Sequence, residues 1–224
     1  MSLIKYFLTV VLTAVPLCFA TEIHAQQSDE YFGETYLFFD TETTGLPLDH
    51  KLPSTDTANW PRLVQVGWIL ANDEGVELSS GNFMVYPNGF EIPKEASKIH
   101  GFTTEIARNN GLPLDSVINL FLKDFKKADC IVGHNVSFDQ KVMGAEFIRL
   151  GRYDPMFTKR AICTMHGGTE YCQLKGKYGK YKWPKLQELY YKLFGTNFED
   201  AHDAMADIRA TARCFWKMKE LGIF

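Results

Sequence analysis

The stretch Tyr36-Leu-Phe-Phe-Asp40-Thr-Glu42-Thr-Thr-Gly45 sets two carboxylates at the end of an apolar run and closes on glycine. In a strand, side chains two apart share a face, so Asp40 and Glu42 point the same way. Like charges held that close repel, and each raises the other's pKa unless a cation sits between them. That is the chemistry of a divalent-metal site. The ordinary alternative is a pair of solvated turn carboxylates, and the segment alone does not choose between them.

Two later segments bear on that choice. In His134-Asn-Val-Ser-Phe-Asp139 a carboxylate falls in the first turn of a helix that follows a strand, where the helix dipole favours it. Simple capping would account for it equally well. In Ala201-His202-Asp203-Ala-Met-Ala-Asp207, His202 and Asp207 stand roughly 140° apart around a continuous helix. They converge only if His202 lies on the loop before the helix, which makes Asp203 the natural N-cap.

The elements that must carry these groups follow from pattern. A strand is expected over 35–40, an irregular loop rich in Pro, Asp, Thr and Lys over 47–60, and a mostly apolar strand over 63–70. A turn at 72–75 leads to a third strand over 76–86, which makes the opening third an antiparallel meander. Short helices are expected over 93–100 and 103–108, and a longer one over 115–127, with Val117, Leu120, Phe121 and Phe125 at helical spacing. A short strand over 130–133 precedes a helix reaching Leu150, with Gly151 as its stop. Residues 158–164 form another strand, 166–182 a Gly- and Lys-rich loop, and Pro184 opens a helix ended by Gly195. The last helix runs from near Asp203 to Leu221. The fold class is α/β: an antiparallel meander, then parallel strands, in one mixed sheet flanked by helices.

Taken in series, Asp-x-Glu-Thr-Thr-Gly-Leu at 40–46, Gly-His-Asn with Asp139 at 133–139 and His-x-Ala-x-x-Asp at 202–207 resemble the DEDD superfamily of 3′→5′ exonucleases. The variant is the one with a catalytic histidine, which includes the polymerase proofreading (DnaQ-like) subunit, ribonuclease T and oligoribonuclease. Ile99-His-Gly-Phe-Thr103 is similar to a short segment such proteins carry between motifs, and the resemblance runs from Thr35 to Phe215. It implies a ribonuclease H-like sheet and 3′→5′ removal of nucleotides from single-stranded nucleic acid, DNA ahead of RNA. Asp40, Glu42, Asp139 and Asp207 would hold two Mg²⁺ or Mn²⁺ ions, hard cations that prefer carboxylate and water oxygens. His202 would be the general base that deprotonates the attacking water, a task suited to an imidazole titrating near neutrality. Thr43, Gly45 and Leu46 would line the site for the terminal nucleotide, with His100 and Phe138 as further contacts to the strand end. An exoribonuclease of the same fold, or a nucleic-acid binding module that has lost activity, are the alternatives. A phosphatase of the haloacid dehalogenase type also opens on an apolar strand with Asp-x-Asp-x-Thr. Glu42 and the lack of a later paired-Asp loop set it aside.

The rest of the chain frames this reading. With 224 residues, 46% hydrophobic and 23% charged, it is an ordinary globular composition. A net charge of −3 gives no global basic field, so any nucleic-acid contact must be local. One local candidate is Lys175-Gly-Lys-Tyr-Gly-Lys-Tyr-Lys-Trp183-Pro-Lys185, which mixes lysines and rings as single-strand binding surfaces do. The competing reading is a solvated loop with Trp183 packed beneath the next helix. Residues 1–25 begin basic, continue apolar from Tyr6 to Ala20 and end on small residues, which resembles a secretory signal peptide cut after Ala25. Pro16 breaks the run, so no integral membrane span is favoured. Export to the periplasm or medium is expected, with a cytoplasmic protein as the alternative. Residues 26–34 are a polar linker and 35–221 the exonuclease domain. Cys163-x-x-His166 with Cys172 could contribute to a zinc site, and an exported protein could form a Cys163–Cys172 disulfide. Nothing in the sequence speaks to oligomeric state.

Overall fold

The computed structural model describes residues 33–199 and 204–224. Tyr36–Thr43 (β1), Leu63–Ala71 (β2) and Glu77–Met84 (β3) form the antiparallel meander. Cys130–Gly133 (β4) and Arg160–Cys163 (β5) add in parallel on the other side of β1. The sheet order is β3-β2-β1-β4-β5, so the strand that carries Asp40 and Glu42 lies at the centre. The mixed α/β sheet expected from the sequence is the one observed.

Helices Lys94–His100 (α1), Thr104–Asn110 (α2), Leu114–Phe125 (α3), Val136–Arg149 (α4), Thr164–Cys172 (α5), Leu186–Phe194 (α6) and Ala204–Glu220 (α7) complete the fold. The pleat of β1 divides its side chains between two helical layers. Leu37 and Phe39 pack with Phe121 of α3 and Val142 and Phe147 of α4. Tyr36 and Phe38 pack with Ile208 and Phe215 of α7. Both faces are covered, which is why β1 reads as a continuous apolar run rather than an alternating one. Each of these rings contributes about 1.5–3 kcal/mol by leaving water.

The 47–60 loop is held by a buried ion pair. Glu146 of α4, with no exposed side-chain surface, accepts from Arg62 Nε at 2.9 Å, the Leu63 amide at 2.9 Å and Arg149 at 2.8 Å. Arg149 in turn donates to the Thr57 and Trp60 carbonyls, both at 2.6 Å. An irregular chain is thereby fastened to a helix whose first turn carries Asp139.

Three expectations need correction. β1 does not end at Asp40 but continues to Thr43, so both carboxylates stand within a strand rather than a turn. The start of the expected 166–182 loop is instead α5. Its glycines serve packing: a Cβ on Gly168 would lie 2.7 Å from Leu189 of α6, and one on Gly167 would lie 2.5 Å from Phe224. Third, Cys163 precedes α5 and Cys172 ends it, about 13 Å apart along the axis and beyond disulfide reach. Cys130, Cys163, Cys172 and Cys214 are free thiols.

The expected leader over 1–25 and most of the linker lie outside the described residues. Among the described residues no helix is long and apolar enough to cross a membrane.

Candidate active site

β1 and β4 run side by side only from Tyr36 to Phe38, and β4 stops at Gly133. Beyond that point β1 continues alone on this side, and α4 fills the vacated edge. The corner between them is tight. Asn135 takes a left-handed conformation (φ 76°), which Asn tolerates better than most residues. Four residues later Asp139 is buried at 3% exposure. The Thr41 amide (3.1 Å) and hydroxyl (2.7 Å) both donate to Asp139 Oδ1. Thr41 points to the α4 face and Asp40 and Glu42 to the other, so this strand carries the site on both sides.

α7 approaches from the opposite layer. Asp40 pairs in register with Gly67 of β2. A Cβ on Gly67 would stand 2.7 Å from Ile208 Cδ1 and 3.3 Å from Met205 Sδ. The missing side chain lets the first turns of α7, which include Asp207, lie close over the middle of the sheet. Gln65, opposite Glu42, is also buried, and its Oε1 has no hydrogen-bond partner.

Of the four carboxylates read in the sequence, Asp40 lies within electrostatic reach of the other three. Asp40 is pushed well above the ordinary carboxylate range by burial first, then by Asp139, Glu42 and Asp207, every influence acting in the same direction. Burial also raises Asp139, against the pull of its bonds from Thr41. Among the described residues no three His, Cys, Asp or Glu side chains stand as a ready-made cage, at these carboxylates or around Cys163 and His166. Magnesium does not require one, since it keeps several waters and takes one or two carboxylates plus substrate phosphates. An all-oxygen set whose members repel fits a hard divalent cation. His202 and Asp203 lie outside the described residues.

A cavity of about 300 Å³ opens beside Glu42 and is lined by Thr43, Gly45, Leu46, His100 and Phe138. The five residues expected to meet the strand end therefore share one cavity. Gly45 has φ 151°, a conformation that favours glycine, and its carbonyl accepts from the Thr43 hydroxyl at 2.7 Å. Leu46 is 76% exposed, an apolar side chain held out over the opening. His100 Nδ1 accepts from the Phe102 amide at 3.1 Å, while its buried Nε2 lacks a well-formed bond. Burial lowers the His100 pKa, and the nearby Thr43 carbonyl pulls it partly back.

Three residues here went unnoticed in the sequence. Thr41 is the variable position between two acids, Gly67 reads as a flaw in an apolar strand, and Gln65 as its solvent-facing residue. A glycine amid strand formers is itself a sign of close approach, and that signal was available.

The sheet order and the covering helices define a protein of the ribonuclease H-like fold class. A family model described as Exonuclease (RNase_T) matches residues 37–215, and the chain belongs to that family, within the DEDD 3′→5′ exonuclease superfamily. It is 30% identical over 186 residues to the PolC-type DNA polymerase III of Streptococcus pneumoniae, covering 80% of this chain and 11% of the relative. Its structure is similar to Escherichia coli exonuclease I in complex with a dT13 oligonucleotide, with TM-score 0.66, 24% identity, and coverage of 84% of this chain and 42% of that one. The zinc-ion-bound form of an E. coli exonuclease I–single-stranded DNA complex is equally similar, at TM-score 0.65, 24% identity and 84% and 41% coverage. The chain thus spans about a tenth of the polymerase relative and about two fifths of the exonuclease I chains.

Proposed function

We propose that this protein is a metal-dependent 3′→5′ exonuclease that hydrolyses the last phosphodiester of single-stranded nucleic acid, DNA in preference to RNA. The observation that carries the reading is that Asp139, Glu42 and Asp207 all act electrostatically on Asp40, beside a cavity of about 300 Å³. Bound Mg²⁺ or Mn²⁺ would neutralise the phosphate and stabilise charge on the attacking and leaving oxygens. Asp40, Glu42, Asp139 and Asp207 would hold the ions, with Asp139 oriented by Thr41. Thr43, Gly45 and Leu46 would seat the terminal sugar and base, and His100 and Phe138 would border them. His202 would take the proton of the attacking water. The exonuclease I likeness, with its DNA oligonucleotides, and the polymerase relative favour DNA.

Purified protein with Mg²⁺ or Mn²⁺ should shorten a 5′-labelled single strand stepwise from its 3′ end, faster for DNA than for RNA of the same sequence. Asp207→Asn or His202→Ala should abolish the ladder, and Asp203→Asn should leave most of it. A ladder that survives Asp207→Asn, or vanishes equally with Asp203→Asn, overturns the assignment. We also propose export, with residues 1–25 removed and 35–221 as the exonuclease domain; sequencing the mature N-terminus should then read from Gln26, whereas an intact Met1 would refute cleavage.

A further inference from the structure

A second cavity, of about 410 Å³, shares the Phe138 ring with the one beside Glu42. Asn135 and Ser137 of the second motif line it too, but most of its walls come from residues outside the three motifs. On one side are Trp60, whose ring lies 6.1 Å from Phe138, and Lys141, whose ammonium sits 5.3 Å from the Trp60 ring and donates to the His50 carbonyl at 2.7 Å. On the other are His166 of α5 and Trp183, with ring centroids 5.1 Å apart. Trp183 does not pack beneath α6: it is 63% exposed and turned toward α5.

Its position is fixed by a bond to its neighbour. Neutral His134 donates through Nε2 to the Pro184 carbonyl at 3.0 Å and accepts at Nδ1 from the Thr164 hydroxyl at 3.0 Å. The same residue stands at the corner that leads to Asp139. The exposed ring and the buried carboxylate are thus referenced to one point in the fold. The basic stretch 175–185 leads directly into Trp183, on a chain whose net charge is −3. Within it Lys182 pairs with Glu188 at 2.6 Å, so its charge is already partly answered within the protein.

We propose that this second cavity binds the single strand upstream of its 3′ terminal nucleotide, with an upstream base stacked on Trp183 and an upstream phosphate on Lys141. Aromatic faces beside an ammonium match a nucleotide irrespective of its base. Phe138 divides the two cavities, so the strand passes it on the way to the carboxylates. The direction of travel rests on the exonuclease reading; the binding does not.

The test measures binding in EDTA by calorimetry, with a tetrathymidylate and with the same strand lacking its two middle bases. Trp183→Ala should weaken the intact strand about ten-fold, and Trp183→Phe should keep most of the affinity. The strand lacking the bases should bind the parent about as weakly as Trp183→Ala binds the intact strand, and Trp183→Ala should weaken it no further. Lys141→Gln should lower the slope of log affinity against log salt by about 0.7 on both strands. Unchanged affinity in Trp183→Ala, or ring and base losses that simply add, overturns the proposal. No cleavage is read, so an inactive protein that shows this pattern keeps the cleft and loses only the nuclease reading. An active one with a neutral Trp183→Ala does the reverse.

Discussion

Thr41 holds Asp139 by two hydrogen bonds to one carboxylate oxygen, at 3.1 Å from its amide and 2.7 Å from its hydroxyl. The residue that the Asp-x-Glu motif leaves unspecified thus joins the first carboxylate strand to the helix bearing the third carboxylate. Strand geometry makes this possible, because the middle residue must point to the opposite face from its neighbours.

Thr41→Val should keep the fold and the amide bond while removing the hydroxyl. A hydrogen bond to a charged group is worth about 1.5–3 kcal/mol, so nuclease turnover should fall by about ten-fold or more. Thr41→Ser should retain most of the rate. Steady-state rates on a single-stranded oligonucleotide, with melting curves to confirm folding, decide it. Equal rates for Thr41→Val and the parent would exclude a positioning role.

Gly67 makes a second prediction, because its empty side-chain position is filled by α7. Gly67→Val should strain the Ile208 contact, costing about 1–3 kcal/mol in stability and displacing Asp207 from its partners. Ile208→Ala makes room, so the double variant should recover part of both stability and activity. Denaturation midpoints and rates across the four-variant cycle measure the coupling, and purely additive losses would mean that the contact does not govern the site.

Much of this was legible because the chemistry sits in contiguous motifs and the strands near it are strongly apolar. Tyr36-Leu-Phe-Phe could hardly be anything but a central strand, and Gly195 ends α6 in the left-handed conformation it favours, while Pro184 stands one residue before the N-cap Lys185. What stayed hidden depended on contacts distant in sequence. Thr-Glu-Thr-Thr looks like a turn until β2 pairs with it, and Gly167-Gly168 looks like a loop until Leu189 and Phe224 are seen to fill the space. Trp183 could be weighed only as buried or exposed, because the bond that orients its loop comes from His134, some fifty residues earlier.

His134 also makes stability depend on pH. Burial, with a smaller push from His166, lowers its pKa to about 4 despite the Pro184 carbonyl. In the unfolded chain it titrates near 6.5, so between those values the unfolded state binds the extra proton and the native state does not. The stabilisation is fully present above pH 6.5 and is lost as pH falls through 4, on the order of 3 kcal/mol in all. Asp40 and Asp139, raised by burial, act in the opposite sense, so the parent curve alone would blur the effect. The difference between parent and His134→Gln isolates it. Urea unfolding should find the variant less stable at pH 7 but closer to the parent at pH 4.5. A gap that stays constant over this range would show that the His134 imidazole does not titrate differently in the fold.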